Sequence, residues 1–316
     1  MIEIGPIQVL CSGNIVCDIL VQPVDTFLAG ATTPVDRIER RMGGNGANTA
    51  YALARMGTPV RLAGVVGADE SGDFALRRLS EAGVDKSLVG RSSKPTASTV
   101  VLVGSTGQRS FLHLFGASED AALDTAVFAA SGCNHFHLAS PFGLPLIRPR
   151  KAALLQAARD AGMTTSLDTH WDSMSEWMRD LAPCLPLLDL LFINEDEARM
   201  LGGGADPMEA ARTIRAAGAH QVVLKLGPAG CCLFWGGGEC AVPGFEVEVV
   251  DSTGAGDCFT GGFLGAMHRG ASLVEAARFA NAVGALSVSA LGATEGLQDY
   301  EAVSAWIAKA APFALR

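Results

Sequence analysis

Short runs of β-branched and aliphatic residues alternate along the chain with longer stretches in which apolar positions recur every three or four residues. The short runs predict strands at 9–16, 60–66, 99–103, 110–115, 134–138, 164–168, 188–193, 221–226 and 231–235. The longer ones predict helices at 45–56, 71–82, 144–161, 195–201, 207–217, 255–269, 273–291 and 300–309. From residue 134 onward strands and helices take turns, which builds a parallel sheet covered by helices on both faces, an α/β fold. The run Leu188-Leu-Asp-Leu-Leu-Phe-Ile193 is almost continuously apolar, as a strand buried on both faces requires. Segments 14–42 and 94–116 break the alternation. They are rich in β-formers and predict a small separate sheet, such as a lid. The chain, 1–316, thus reads as one domain with a lid subdomain, without repeats, low-complexity segments or long linkers.

Composition narrows the class. With 316 residues, 49% of them hydrophobic and 18% charged, the chain can bury a large core and does not read as disordered. A net charge of −9 argues against nucleic acid as partner, though local donors and a metal ion can still hold an anionic nucleotide. No apolar run reaches the roughly 18 residues that span a bilayer. The eight cysteines (11, 17, 133, 184, 231, 232, 240 and 258) show no C-x-x-C spacing, and no secretory leader is expected. The expectation is a cytoplasmic protein without a membrane partner, its thiols reduced and packed as small apolar groups.

Four segments carry candidate chemistry. Asp251-Ser-Thr-Gly-Ala-Gly-Asp257 follows a β-like run at 245–250 and opens a helix with Phe259, Phe263 and Met267 four apart. A small-residue turn at a helix start points unpaired N–H groups outward and makes an anion site from Gly254, Ala255 and Gly256. Asp257 at its rim would repel a phosphate, unless its task is to take a proton from an attacking hydroxyl. A helix-capping Asp is the plainer reading. Gly43-Gly-Asn-Gly-Ala-Asn48 offers donors and acceptors with little bulk, suited to sugar hydroxyls, or is simply a capped turn. Asn194-Glu-Asp-Glu197 follows a strand and places oxygen ligands where Mg²⁺ could bind, or complements the helix dipole. Lys225-Leu-Gly-Pro-Ala-Gly230 sets a lysine before a glycine turn, suited to phosphate or exposed to solvent. Asp18 could grip two hydroxyls, and Arg109, His137, Asp168, His170 and Trp171 end or follow strands. Gly236-Gly-Gly238-Glu-Cys-Ala241 fits a loose dinucleotide pattern but reads as a hairpin. The G-x-x-x-x-G-K-S/T, H-R-D, D-F-G and H-E-x-x-H motifs are absent.

Together these segments resemble the ribokinase-like (PfkB) carbohydrate kinases over residues 8 to 300. Gly43-Gly-Asn-Gly-Ala-Asn48-Thr-Ala50 is similar to the family's first signature. Asp251-Ser-Thr-Gly-Ala-Gly-Asp257 is similar to the second, with Ser252 where Thr is usual, and Asn194-Glu-Asp-Glu197 to its N-x-x-E motif. The resemblance implies a Rossmann-like domain with a small β lid, and transfer of a phosphoryl group from ATP to a hydroxyl of a small sugar or sugar acid. It implies Asp257 as catalytic base and Gly254, Ala255 and Gly256 as the anion hole. Asp18, Gly43, Gly44, Asn45 and Asn48 fall at substrate contacts, and Asn194, Lys225, Gly227, Gly230 and Asn281 at nucleotide contacts. Glu197 falls at a water-mediated Mg²⁺ contact. A monovalent cation such as K⁺ would fall to Asp251 and Thr253 with main chain near Ser287, Ala290 and Gly292. Lid-to-lid homodimers are implied as well. A nucleoside kinase of the same family is the alternative, disfavoured by few lid aromatics (Phe27, Phe111, Phe115). A non-catalytic sugar or nucleotide sensor and an NAD-dependent oxidoreductase are further alternatives, the first opposed by the intact Asp257, Asn194 and Glu197.

Overall fold

The computed structural model describes residues 8–26, 29–106 and 108–310; Phe27 lies outside them. Thirteen strands are found among them: β1 Val9–Ser12, β2 Val16–Gln22, β3 Arg37–Gly43, β4 Val60–Gly67, β5 Asp85–Ser92, β6 Ala97–Val103, β7 Arg109–Leu114, β8 His135–Ala139, β9 Thr164–Asp168, β10 Leu190–Asn194, β11 Val222–Lys225, β12 Gly230–Trp235 and β13 Gly238–Pro243. Ten α-helices accompany them: α1 Asn45–Arg55, α2 Glu70–Ala82, α3 Ala126–Ala130, α4 Lys151–Asp160, α5 Trp177–Leu181, α6 Glu195–Leu201, α7 Pro207–Ala216, α8 Ala255–His268, α9 Leu273–Ser287 and α10 Tyr300–Ile307.

Nine strands form one sheet in the order β13-β12-β11-β10-β9-β8-β1-β4-β5, parallel except for β12 and β13 at one edge. Along β10, Leu190 and Phe192 enter one core while Leu191 and Ile193 enter the other, so both faces are covered, as the apolar run demanded. The chain leaves β1 for β4 and β5 on one side, then returns to β8 and runs outward through β9, β10 and β11. That reversal lies between β1 and β8, and ligands of such sheets bind outside the carboxyl ends of the strands there. Among the described residues no helix is long and apolar enough to cross a membrane.

A second sheet of four strands, β3-β2-β6-β7, stands apart. One row across it is Asp18, Thr99 and His113; the next is Val101 and Phe111. These line a cavity against the main domain. Ile38, Leu112 and Leu114 are exposed.

Three expectations of local structure are corrected. The strand predicted at 9–16 is two strands in different sheets, because the chain turns at Gly13 and Asn14, where the Gly13 and Gly46 backbones pass too closely for a side chain. The β-like run at 245–250 is irregular: β13 ends at Pro243, and Val249 and Val250 are left half exposed beside a cavity. The helix predicted at 144–161 begins only at Lys151, because Pro145 and Pro149 break its first half into turns and a 3₁₀ segment. The Gly236–Gly238 segment closes the β12–β13 hairpin.

Candidate active site

Three cavities meet above the carboxyl ends of the strands. One of about 420 Å³ lies under the small sheet, one of about 300 Å³ in the middle and one of about 710 Å³ beside α9. The first two share Asn45, Gly254 and Asp257; the last two share Lys225, Ala255 and Gly256. The turn at 254–257 therefore stands at the junction of all three.

Helix α8 explains its own position. Residues 257–267 are buried, with Phe259, Phe263 and Met267 in the core. Gly261 and Gly265 allow α1 to pack against α8, where added side chains would meet Ala52 and Met56 within 2.7 Å. The starts of the two helices are thus held together. Asn45 and Asn48 of α1 donate to the two carboxylate oxygens of Asp257, at 2.8 and 2.9 Å. Burial pushes the Asp257 carboxyl up, while the two amides and the Lys225 charge pull it down.

No side chain caps the start of α8, whereas α2, α6, α7, α9 and α10 are all capped by Asp, Asn or Ser. The cap is Gly254 at φ 70°, left-handed, with no room for a Cβ beside Ala293. The first N–H groups of the helix have no intrahelical acceptor, that of Ala255 making a long turn bond of 3.3 Å to the Ser252 carbonyl, and Gly254 to Asp257 line the middle cavity.

The middle cavity holds opposed charges. Lys225, at the end of β11, donates to both oxygens of Asp168, at the end of β9, at 2.8 and 2.9 Å. The Thr260 hydroxyl donates to Asp168 at 2.6 Å. Burial pushes Asp168 up to about 7 against the pull of Lys225. Burial lowers Lys225, but Asp168 and Glu197 outweigh it and hold the ammonium charged. Glu197 and Asn194 form a capping box on α6, and Glu195, Asp196 and Glu197 all lie in its first turn, where acids complement the helix dipole. Glu197 Oε2 accepts from Thr169 at 2.6 Å and from the Asn194 N–H at 3.0 Å, so the cavity-lining carboxylate keeps Oε1 without a partner among the described residues.

Under the small sheet, Asp18 is buried and pushed up to about 6, by burial first and by Asp251 and Asp257 in addition. Gly43 lines none of the three cavities. Its missing side chain makes room for the Asp18 carboxylate, whose Oδ2 lies 1.9 Å from where a Cβ would stand. Gly44 lines the cavity with Asn45 and Asn48. Three buried polar atoms around this cavity lack hydrogen-bond partners: Asn48 Oδ1, Ser118 Oγ and Ser140 Oγ. Ser140 also holds a left-handed backbone (φ 54°), a strain of the kind found at functional sites.

The large cavity is walled mainly by backbone and apolar groups, among them Gly227, Gly230, Phe245, Val247, Val249 and Ala285, with Glu246 and Glu248 also on its lining. Asn281 lines it too, but its amide is tied to the Val242 and Pro243 carbonyls at 3.0 and 3.1 Å, bracing the wall. Asp251 accepts from the Thr253 and Gly292 N–H groups and pairs with Arg109 of β7. Ser287 turns its hydroxyl to the Gly284 carbonyl.

His170 and Trp171 line the site, whereas His137 is core: buried beside Ser166 and pushed down to about 3 by burial. Sequence reasoning passed over Ser118, Ser140, Thr169, Thr260 and the loop anchor Asp172. Asp172 is ion-paired to Arg148 and accepts from the N–H groups of Met174, Glu176 and Trp177, which fixes the loop bearing His170 and Trp171. Thr169 and Asp172 stand beside the sequence candidates Asp168, His170 and Trp171, and Thr260 one helical turn past Asp257, which was their signal; Ser118 and Ser140 had none.

The arrangement sets a proton acceptor, an anion cradle and a buried cation at one junction, between a polar cavity and a largely apolar one. That suits transfer of a phosphoryl group from one bound molecule to another.

Known proteins agree. The profile described as pfkB family carbohydrate kinase matches residues 7–299. The chain is 31% identical to the aminoimidazole riboside kinase of Salmonella typhimurium, over 81% of this chain and 84% of that one. It is 28% identical to the 2-dehydro-3-deoxygluconokinase of Bacillus subtilis, over 88% and 90%. The structure of Arabidopsis thaliana ribokinase complexed with ribose and ATP superposes with a TM-score of 0.82 at 27% identity, covering 95% of this chain and 98% of that one.

Proposed function

The chain belongs to the pfkB family of carbohydrate kinases, phosphotransferases acting on sugar hydroxyls, and from that premise we propose how its residues divide the work. The nucleotide, ATP, takes the large cavity with its base among Val247, Val249 and Ala285 and its phosphates toward Lys225. The sugar takes the cavity under the small sheet. Asp18 accepts from its hydroxyls, and Asn48 Oδ1, Ser118 and Ser140 gain the partners they lack. Asp257 accepts the proton of the reacting hydroxyl as that oxygen attacks the terminal phosphorus in line. The N–H groups of the 254–256 turn hold the charge that spreads over the phosphoryl oxygens. The observation that carries this reading is the place of Asp257, where the sugar-side and middle cavities join. The small sheet acts as a lid that closes over the sugar and excludes water.

Magnesium fits the oxygen donors. Among the described residues no three His, Cys, Asp or Glu are grouped to hold a metal. One or two carboxylates plus phosphates and waters is how Mg²⁺ is usually held. Glu197 through Oε1, with Asn194 and Asp196 beside it, would hold the ion, which when bound neutralises phosphate charge.

A second reading, a riboside acceptor carrying an aromatic group, is favoured by one observation. Phe111, His113, Phe115 and Trp171 ring the sugar-side cavity with their rings largely exposed, ready to stack. A coupled ADP-release assay over hexoses, ribose, 2-keto-3-deoxygluconate and adenosine tests both. Turnover of a plain sugar at far higher kcat/KM than adenosine supports the first; the reverse order supports the second. No turnover with any of them, despite tight binding, would leave a sensor. The exposed outer face of the small sheet, with Ile38, Leu112 and Leu114, supports a lid-to-lid homodimer, and eight free cysteines support a cytoplasmic setting. Light scattering that reads monomer mass, or fractionation outside the cytoplasm, would refute these two readings.

A further inference from the structure

Asp251 raises a question of charge. Its side chain is fully buried, and Asp18 and Asp257 share its surroundings. A buried carboxylate needs a partner of opposite charge. The family resemblance supplies a monovalent cation, but the residues present do not fit one at this carboxylate. Arg109 Nη1 lies 2.6 Å from Asp251 Oδ1, and the same nitrogen donates to the Thr253 hydroxyl. Oδ1 also accepts from the Thr253 N–H at 2.8 Å, and Oδ2 from the Gly292 N–H at 2.9 Å. The carboxylate is thus served on both oxygens and neutralised by a charge the chain itself carries. The pair differs from an ordinary surface ion pair, since its members are 17% and 0% exposed.

Arg109 comes from β7, in the small sheet, and Asp251 begins the loop that runs through Thr253 into the Gly254 turn. The pair therefore spans the gap between sheet and main domain. Arg41, from β3 of the same sheet, lays its stem against Gly292, 3.2 Å from where a Cβ would stand, at the other wall of the same loop pair. We infer that Arg109 is a positioning residue: its guanidinium replaces a bound monovalent cation at Asp251 and Thr253, and so couples seating of the small sheet to the order of the anion turn. The inference rests on the reading of 254–257 as the phosphoryl site.

The test uses the full chain with MgATP and its best acceptor, in tetramethylammonium buffer, with KCl or guanidinium chloride added at millimolar levels. Wild-type kcat is expected to change by less than about twofold on adding K⁺, and Arg109→Ala to lose roughly ten- to hundredfold in kcat, the scale of a lost charge-assisted hydrogen bond, with little change in acceptor KM. Added guanidinium or K⁺ should restore part of that loss, and Arg109→Lys should keep most of the activity. Amide hydrogen exchange at 251–258 gives a readout apart from turnover: faster in Arg109→Ala, slowed again by guanidinium. Wild-type kcat rising about tenfold with K⁺ overturns the inference. So does an Arg109→Ala variant with unchanged kcat and exchange, or a loss that neither cation rescues. If Arg109→Ala does not fold by thermal melt, the wild-type K⁺ response and Arg109→Lys decide. Failure of the underlying reading shows separately, as full turnover in Asp257→Asn.

Discussion

The two ends of the cavity chain are built on opposite plans. On the sugar side, single side chains from distant parts of the sequence converge: Asp18, Asn48, Ser118, Ser140 and Asp257 come from five different segments. Two of them are carboxyls raised by burial, and three buried polar atoms stand unpaired. On the proposed nucleotide side, the wall is mostly glycine, proline, valine and alanine from three stretches, 225–230, 244–259 and 281–288, and its buried amide, Asn281, is satisfied. If the sugar binds at the first end as proposed, its hydroxyls relieve that instability; the second end offers shape and apolar surface. Binding on the first should be specific and costly to mutate, and on the second tolerant.

The sharpest way to break that contrast is at the junction. Asp257→Asn keeps the shape and both asparagine neighbours but removes the proton acceptor. It should cut kcat by roughly 10²–10⁴ while ATP affinity by calorimetry stays unchanged. A variant with near-normal kcat would remove general-base catalysis from this site.

The next largest effect separates function from stability. Asp18→Asn should raise the sugar KM by roughly ten- to hundredfold, through loss of charge-assisted hydrogen bonds. The same change should stabilise the free protein. A carboxyl raised from 3.8 to about 6 favours the folded state below about pH 4, and that advantage is lost as pH rises through 6. Above pH 6 the buried charge therefore costs up to about 3 kcal/mol, which Asn removes. Urea denaturation at pH 4 and pH 8 should show the variant gaining stability only at the higher pH. Equal stability at both would mean that Asp18 is not buried as a charge.

The smallest effect is expected on the other side. Val249, 59% exposed, lines the large cavity in which we propose ATP binds. Val249→Ala should weaken the ATP KM by about three- to tenfold and leave kcat and the sugar KM alone, the scale of a partly buried valine. A loss in kcat as large as that of Asp257→Asn would mean the two sides are not separable.

Much of the site was legible where function is written in consecutive residues. Segments 251–257, 43–48 and 194–197 each announced a turn at a helix start, and all three line the cavities. The roles were less legible. Asn45 and Asn48 hold the Asp257 carboxylate as well as facing the sugar side, and Glu197 closes a capping box while keeping one oxygen free. Lys225 read as a phosphate contact without its partner, because Asp168 is 57 residues away and only the adjacency of β9, β10 and β11 brings the two together.

Sequence alone determined the parallel sheet with its covered faces, the small-residue turn that begins α8, and the small sheet's two segments; that no side chain caps that turn came from the structure. Hydrophobic period and backbone freedom are local properties, so neighbouring residues suffice to specify them. Only the tertiary structure decided that Arg109 meets Asp251 across 142 residues of chain, and that Ser118 and Ser140 face the same cavity with free hydroxyls. Such pairings follow from strand order and helix packing, and no short stretch of sequence contains that information.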